Sequence, residues 1–188
     1  DRMVFRQTRP LHDRPYDVVY LGGRWAYKGR TIDAYLVPVL KSGEVSYKLH
    51  GWGDWQPGLC SGGLAEDQAS GFLNQGRVGP CVSEEHTHTW GIDIPERAFK
   101  VAACGAMVVH DATTSIRRMI PSALIASNPQ QFRDYIVHYS RPQNEAERVE
   151  LVVKQQQEVL SAHTYHHRMA VLLSGMGFKH ESDKMLEG

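Results

Sequence analysis

The chain has 188 residues, with 21 Lys and Arg against 21 Asp and Glu, so it carries no net formal charge at neutral pH. Its length suits one ordinary domain, and its 41% hydrophobic and 22% charged residues are close to globular averages. These values exclude a disordered or collagen-like chain. Nucleic acid is not indicated as a partner, because a nucleic-acid binder normally carries a surplus of Lys and Arg.

The three cysteines, Cys60, Cys81 and Cys104, are too few and too far apart for a secreted disulfide framework or a zinc clasp. No apolar run approaches the length of a membrane span, and residues 1–6 lack the apolar stretch of a signal peptide. We therefore expect a cytoplasmic protein with no membrane partner. The opening on Asp1 leaves open that the sequence is a piece of a longer chain.

Strands and helices alternate in the prediction from residue 17 to residue 139. Apolar and β-branched runs predict strands at residues 17–21, 45–50, 78–83, 106–110 and 124–127. Apolar positions three and four apart predict helices at residues 31–40, 65–73, 115–119 and 129–139, and a further helix that begins at Pro95 and ends before Gly105. The Gly- and Pro-rich residues 51–58 predict a loop, and the polar residues 84–89 are expected in one as well.

Alternation with short connections is typical of a parallel sheet covered by helices on both faces. The predicted fold class is therefore α/β, with three layers and at least five parallel strands. We divide the chain into a lead or linker segment at residues 1–16, a domain at residues 17–142, and C-terminal helices at residues 143–188 that pack on the same domain. Asn144, with Glu147 three residues later, has the spacing of a capping box at the first of those helices.

Ligands of such sheets bind beyond the carboxyl ends of the strands, where helix N-termini direct their free N–H groups. The loop after the first strand holds Gly22, Gly23, Arg24 and Lys28. Glycine lets the backbone approach a phosphate closely, Arg offers a planar fork for two oxygens, and Lys adds a mobile charge. A tight turn with unusual backbone angles, followed by a solvated charged loop, explains the same residues. Trp52 offers a stacking surface for a nucleobase or sugar ring, or packs against the domain edge.

Three segments resemble the nucleotide-sugar half of GT-B glycosyltransferases. Residues 22–29, GGRWAYKG, are similar to the Gly-Arg and Lys-Gly element that opens this half. Residues 95–109, PERAFKVAACGAMVV, are similar to its E-A-x-A-C-G-x-x-V-V segment, and residues 163–168, HTYHHR, resemble the ends of the spore-maturation CgeB-like group. The similarity runs from about residue 17 to residue 178, with the three elements in the expected order.

The resemblance implies a Rossmann-like domain that forms the donor-binding half of a glycosyltransferase. Such an enzyme moves a sugar from a nucleotide diphosphate sugar to an acceptor, here unknown, without a metal or other cofactor. The resemblance further implies that Arg24 and Lys28 hold the diphosphate and act as the catalytic residues, and that the loop from Glu85 to Pro95 faces the donor sugar. The candidate substrate-binding residues are Gly22, Gly23, Trp52, Glu85, His86, Glu96, Arg97 and Lys100.

The sequence departs from the family pattern in two respects. The paired acidic residues that would bind the donor ribose fall near Ile92 and at Lys100, so both acidic roles are vacant. Glu96, one helical turn before Lys100, is a possible substitute, although a Glu and Lys pair at this spacing is equally explained as a surface salt bridge. GT-B enzymes also need an acceptor-binding domain. We expect that domain, and any base that deprotonates the acceptor, from a preceding N-terminal domain or a partner chain.

Two alternatives stay open. A metal-dependent hydrolase would draw on a cluster of histidines and acids, namely Glu84, Glu85, His86, His88, His163, His166 and His167. Against it, Trp90 stands where such hydrolases usually place an Asp, and adjacent helical residues point about 100° apart. The other alternative is a non-catalytic module that binds a nucleotide sugar or serves as a scaffold.

Overall fold

The structure, a computed structural model, describes residues 4–91 and 93–187, and in these residues five strands form one parallel sheet. The strands are β1 (Tyr16–Leu21), β2 (Tyr47–His50), β3 (Gly76–Cys81), β4 (Met107–His110) and β5 (Leu124–Ile125). Their order across the sheet is β2-β1-β3-β4-β5, and every neighbouring pair is parallel. The predicted α/β class and parallel sheet are confirmed. The expected acidic position near Ile92 lies outside the described residues.

The α-helices of the described chain are α1 (Ala26–Thr31), α2 (Val37–Lys41), α3 (Ala69–Leu73), α4 (Glu85–Trp90), α5 (Glu96–Ala103), α6 (Pro129–Ser140), α7 (Glu145–Ala162), α8 (Tyr165–Gly175) and α9 (Lys179–Glu187). Short 3₁₀ segments lie at Glu66–Gln68, Thr114–Arg118 and Pro142–Asn144. Among these described helices, none has both the length and the apolar composition that a membrane crossing requires.

A π-helical segment, Ile32–Leu36, joins α1 to α2. Pro38 explains it, because a proline inside a helix has no N–H to donate and its ring clashes with the carbonyl four residues before. The preceding turn widens, and the Val37 N–H bonds to the Ile32 carbonyl, five residues back. The helical run therefore begins at Ala26, five residues earlier than predicted.

The two faces of the sheet carry separate apolar clusters because successive side chains of a strand point to opposite sides. From β1, Val18 and Tyr20 lie in the cluster covered by the π-helical segment, α2 and α6, whereas Val19 packs against α3, α5 and α7. All three side chains are fully buried. Helices thus cover both faces, in the three-layer arrangement that the sequence predicted.

The C-terminal helix α7 is fixed to the sheet by a buried polar side chain. Gln155 Oε1 accepts a hydrogen bond from the Val108 N–H at 2.7 Å, and its Nε2 donates to the Ser122 carbonyl at 3.1 Å. Because both ends of the buried amide are paired, they hold α7 in one position against β4. Val159, also buried, packs α7 against the α5 side.

Several predicted boundaries need correction. β3 runs from Gly76 to Cys81, so it begins and ends earlier than predicted, and β5 has only Leu124 and Ile125. The chain leaves β5 early because Asn128 caps α6, with its side-chain oxygen accepting from the Gln131 N–H.

The polar residues 84–89, expected in a loop, are the largest correction because all but the first of them lie in α4. Glu84 has extended backbone angles and precedes the first turn, and Gly91, with φ 65°, ends the helix in the left-handed region. α4 packs against α1. A stretch without an apolar stripe is thus helical because of its two ends and its tertiary contacts.

The strand order places a crevice at one point of the sheet. β2 lies on one side of β1 and β3 on the other, so the chain reverses its direction of travel across the sheet between them. Beyond the carboxyl ends of β1 and β3 the connecting segments diverge, and open α/β sheets bind their ligands at such a switch point.

Candidate functional site

A cleft of about 490 Å³ opens at the carboxyl ends of β1 and β3. We call it the switch-point cleft. The lining residues used below are Gly22, Gly23, Trp25, Lys28, Trp52, Glu84, Thr87, Asp93, Glu96, Arg97 and Lys100. Its volume falls within the range of about 300–1,000 Å³ that is usual for small-molecule sites.

Lys28, a buried residue, places its ammonium group in the switch-point cleft. The residue is 5% exposed, and its Nζ atom lies 5.4 Å from the centroid of the Trp25 ring. Burial, assisted by the charge of Arg97 and opposed by Glu84, lowers the pKa of Lys28 to about 8. Within the described residues no carboxylate lies at salt-bridge distance from this ammonium. A buried cation without a partner favours the binding of an anion beside it.

Arg97 is the second cation that reaches the switch-point cleft. From the first turn of α5 it extends back to the end of β1, where its Nε donates to the Leu21 carbonyl at 2.7 Å. Its guanidinium lies 4.3 Å from the centroid of the Tyr20 ring. The Nη1 atom is buried and has no hydrogen-bond partner in the described part of the chain. Arg97 thus fixes the end of β1 and keeps one donor unpaired.

Gly22 and Gly23 are required by close packing. A Cβ at Gly22 would lie 2.0 Å from Arg97 Nη2, and a Cβ at Gly23 would lie 2.5 Å from a ring carbon of Trp25 and 2.7 Å from Trp52 Nε1. Neither glycine has a positive φ, so the turn with unusual backbone angles weighed from the sequence is not formed here. The two indoles are 38% and 60% exposed and flank the turn, where they offer ring surfaces to a ligand.

Arg24 lies beside the switch-point cleft rather than in its lining. Its Nε and Nη2 donate to the two carboxylate oxygens of Asp33 at 3.1 and 2.6 Å, and its Nη1 donates to the Asp54 carbonyl at 2.7 Å. These contacts tie the segment after β1 to the π-helical segment and to the loop after β2. The phosphate contact assigned to Arg24 from the sequence stays a prediction, and the structure already engages its three donor atoms.

Glu96 and Lys100 meet at the surface of the switch-point cleft. Lys100 Nζ lies 3.0 Å from Glu96 Oε2, and the two side chains are 31% and 52% exposed. Glu96 also accepts a hydrogen bond from the Tyr165 hydroxyl on α8. Burial opposes these contacts, but the bonds from Tyr165 and Lys100 prevail and lower the pKa of Glu96. The Tyr165 bond brings residues 163–168 to the start of α5.

Two sequence-predicted residues, Glu85 and His86, do not line the switch-point cleft. Glu85 lies 3.5 Å from Arg30 on an exposed surface, and His86 lies between the carboxylates of Glu84 and Asp93 at 3.6 and 3.4 Å. Helix formation turns Glu84 and Thr87, three residues apart, toward the cleft instead. Sequence reasoning missed Thr87 and considered Glu84 only as a metal ligand, because it expected a loop here; the spacing of three was the available signal.

A buried carboxylate, Asp111, follows β4 at the same edge of the sheet. It accepts hydrogen bonds from the Ser83 N–H at 2.6 Å, the Ser83 hydroxyl at 3.1 Å and the Thr113 hydroxyl at 3.1 Å. His110 Nδ1 lies 2.9 Å and His88 Nε2 3.2 Å from its oxygens. Burial raises the pKa of Asp111, but the bonds from His110, His88 and Ser83 outweigh it and hold the pKa well below the usual range.

His88 connects this carboxylate to the surface. Its side chain is 26% exposed, and its ring centroid lies 6.3 Å from that of Tyr35 in the π-helical segment. The hydrogen bond to Asp111 raises the pKa of His88 against the opposing effect of burial. Sequence reasoning considered His88 only as a metal ligand, although an Asp directly after a buried strand was a visible signal.

The histidines of the hydrolase alternative are not gathered. His163 lies against the Phe99 ring, at 5.8 Å between centroids, on the opposite face of the domain from the His88 cluster. In residues 4–91 and 93–187 no group of three His, Cys, Asp or Glu side chains is arranged to hold a metal ion. The part of the chain that the structure describes therefore lacks the metal site that this alternative needs.

The sequence profile of a family described as glycosyl transferase-like matches residues 14–174. No curated protein matches the chain in sequence. Among solved structures, T4 phage BGT in complex with its UDP-glucose substrate has a TM-score of 0.65 at 13% identity, over 98% of this chain and 52% of that one. Another structure of the same phage protein holds UDP and Mn²⁺.

Two bacterial structures share the fold as well. The C-terminal domain of LpcC, a glycosyl transferase group 1 family protein from Francisella tularensis, has a TM-score of 0.61 at 12% identity, over 88% of this chain and 98% of that domain. S. aureus TarM, in complex with UDP and two sugar compounds, has a TM-score of 0.65 at 10% identity, over 92% of this chain and 37% of that one. The chain thus spans about half the length of the phage protein.

Proposed function

Because this chain belongs to the glycosyl transferase-like family, we propose that it binds the donor in a reaction that moves a sugar from a nucleotide diphosphate sugar to an acceptor. One observation carries the proposal: Lys28, a buried residue, lines the switch-point cleft of a GT-B domain, and within residues 4–91 and 93–187 no carboxylate lies at salt-bridge distance from its ammonium. A diphosphate supplies the anion that this ammonium lacks. Membership of the CgeB-like group stays a prediction.

In this proposal the donor's diphosphate contacts Lys28 and the unpaired Nη1 of Arg97, and a ring of the donor stacks on Trp25 or Trp52. Arg24 positions the turn that carries Trp25 and Lys28. The phage protein and TarM were both solved with UDP or a UDP-sugar, which supports a uridine nucleotide as the first probe.

The chemical role follows from where charge develops. As the bond between the sugar and the diphosphate breaks, negative charge builds on the leaving phosphate oxygen, and fixed cations aimed at that oxygen lower the barrier. Lys28 and Arg97 are such cations, and their burial strengthens the interaction because little water screens it. We propose that these side chains replace a catalytic metal, so transfer should persist in EDTA.

Acceptor recognition is proposed to lie outside this sequence, in another domain or a partner chain. Support comes from the phage protein, of which this chain covers 52%. A module that binds the donor without turnover is the second candidate, because the Glu96 carboxylate, the possible substitute for the vacant acidic roles, is already held by Lys100 and Tyr165. Release of UDP from bound UDP-sugar separates the two candidates.

Calorimetry with a panel of UDP-, GDP- and other nucleotide sugars tests the proposal. We expect at least one to bind, and we expect Lys28→Met to weaken binding by about 1.5–3 kcal/mol, the usual worth of a hydrogen bond to a charged group. Lys154→Met is the matched control, because Lys154 pairs with Glu150 on an exposed face of α7. If the Lys28 variant binds as tightly as the wild type, the Lys28 ammonium does not hold the donor. If none of the nucleotide sugars binds the wild type, the proposed function is refuted.

A further inference from the structure

A second cavity, of about 440 Å³, lies beside the switch-point cleft and is not used by donor binding as proposed above. Glu96 and Lys100 of α5 line both, so the two cavities share a wall. From this wall the second cavity extends to α7 and α8, and we call it the interhelical cavity. Its volume also falls within the range of about 300–1,000 Å³ that is usual for small-molecule sites.

The body of the interhelical cavity is apolar. Side chains from α5, from α7 and from the segment before β5 line it, namely Phe99, Ala103, Met119, Val159 and Leu160. Ala103 and Val159 are buried, and the other three are partly buried against the same core cluster. A pocket with such walls binds the apolar part of a ligand, because binding removes hydrocarbon surface from water.

Arg168 of α8 supplies a cation to the lining of the interhelical cavity. Its guanidinium carbon lies 4.9 Å from the centroid of the Phe99 ring. Among the side chains of residues 4–91 and 93–186, no carboxylate lies at salt-bridge distance from this guanidinium. An aromatic ring attracts a guanidinium and leaves N–H donors for another partner, and the two oxygens of a carboxylate match those donors.

The charges that line the interhelical cavity sum to one positive charge in the described chain. Arg168 and Lys100 are the cations, and the carboxylate of Glu96 lies 3.0 Å from Lys100 Nζ. Burial, followed by the charge of Arg168, lowers the pKa of His163, so this lining imidazole is neutral at neutral pH. A ligand with a single negative charge complements such a lining.

We propose that the interhelical cavity is a second ligand site, and that it takes a carboxylate attached to an apolar chain. The chain lies among the apolar side chains of α5 and α7, and the carboxylate meets Arg168. A nucleotide diphosphate does not suit this cavity, because it carries more than one negative charge and a polar ribose. The site is therefore separate from the switch-point cleft, and it does not depend on the proposed function.

Calorimetry with octanoate, 1-octanol and octylamine, in the absence of nucleotide, tests the charge and the apolar chain separately. The three probes share one chain length and differ in their head group. We expect octanoate to bind at least about tenfold more tightly than 1-octanol, the usual effect of a hydrogen bond to a charged group. Octylamine should bind most weakly, because its ammonium is repelled. If octanoate fails to bind, or binds no more tightly than 1-octanol, the proposal is overturned.

Arg168→Met tests whether Arg168 holds the anion. The variant should bind octanoate about 10–100-fold more weakly and 1-octanol as before, because methionine keeps an apolar side chain beside Phe99 and removes the charge. Arg141→Met is the matched control, since Arg141 is an exposed arginine that lines neither cavity. Unchanged octanoate binding in Arg168→Met, or an equal loss for both probes, would overturn the proposal.

Nuclear Overhauser contacts between the octanoate chain and the Met119 methyl group locate the ligand. We expect these contacts in the wild type and in Val153→Phe, which changes an exposed side chain of α7, and their loss in Val159→Phe, whose ring fills the cavity. Octanoate that binds the wild type without contacting Met119 overturns the proposal, whether or not Val159→Phe folds. Because no nucleotide is present, failure here leaves donor binding unaffected, and failure of the nucleotide-sugar panel leaves this result unaffected.

Discussion

The guanidinium of Arg24 and the carboxylate of Asp33 hold each other through two parallel N–H···O contacts. The arginine that the sequence assigned to phosphate is thereby anchored to the π-helical segment, and its remaining contact reaches the Asp54 carbonyl. Two-point pairs of this kind fix geometry as well as charge. Trp25 and the helix that carries Lys28 follow directly after this anchored residue.

If Arg24 acts by positioning, Arg24→Ala and Asp33→Ala should weaken UDP binding to a similar extent, by about 1 kcal/mol each, since both break the same pair. The double variant should be little worse than either single one, because residues of one contact are not additive. Calorimetry on the three variants measures this. A large loss in Arg24→Ala together with full affinity in Asp33→Ala would show that Arg24 contacts phosphate itself.

The affinity for UDP should fall as pH rises through about 8, the value to which burial lowers the pKa of Lys28. Below that pH the ammonium is charged and attracts the diphosphate; above it the amine is neutral, whereas the terminal phosphate, with a second pKa of about 6, keeps its charge. Quenching of Trp25 and Trp52 fluorescence between pH 7 and 10 would measure the change. Lys28→Met should bind weakly and without this pH dependence, and a flat wild-type profile would contradict the prediction.

Gly51→Ala should destabilise the protein, because a Cβ there would lie 1.9 Å from the Gly22 carbonyl oxygen. Both partners are backbone at the ends of paired strands, so relief requires β1 and β2 to separate, at a cost of about 2–4 kcal/mol. Gly63→Ala is the control, since its Cβ would meet no atom within 4 Å. That variant should be neutral or gain up to about 1 kcal/mol. Urea denaturation measures the free energy of unfolding of both variants. Equal values would show that β1 and β2 can separate at Gly51 without loss of stability.

Asp111→Asn should lower the free energy of unfolding by about 3–5 kcal/mol, because it removes the charge and one of the two acceptor oxygens from a buried hydrogen-bonded network. Because the pKa of Asp111 is lowered in the folded chain, ionised Asp111 stabilises the fold. This stabilisation is complete above the pKa of an unfolded Asp, about 3.9, and is lost as the pH falls below that value. His88 acts in the opposite sense, since its raised pKa stabilises the folded chain below about 6.5 and less as pH rises further. Urea denaturation from pH 3 to 8 should show both slopes in the wild type and neither in the variant.

The sequence by itself determined the layered fold, because the signals for it are local. Apolar β-branched runs such as residues 17–21 and the stripe between Pro95 and Gly105 each fix an element within a few residues. A helix between successive strands is a crossover connection, which favours parallel pairing of the strands. The same reasoning placed a binding site after β1. The prediction of a loop at residues 84–89 was wrong, because the helix there has no apolar stripe and depends on Gly91 and on packing against α1.

The tertiary structure alone decided which charges meet in the switch-point cleft. Arg24 and Arg97 were both candidates, but pairing with Asp33 takes Arg24 out of the lining, while α5 brings Arg97 back across the end of β1. Asp111 and His88 show the same dependence, because their contact joins two segments that no spacing rule connects. The sequence shows which side chains are charged. Which groups contact each charge, and how deeply it is buried, are decided only when distant elements pack, and both determine the pKa and the binding properties of the charged group.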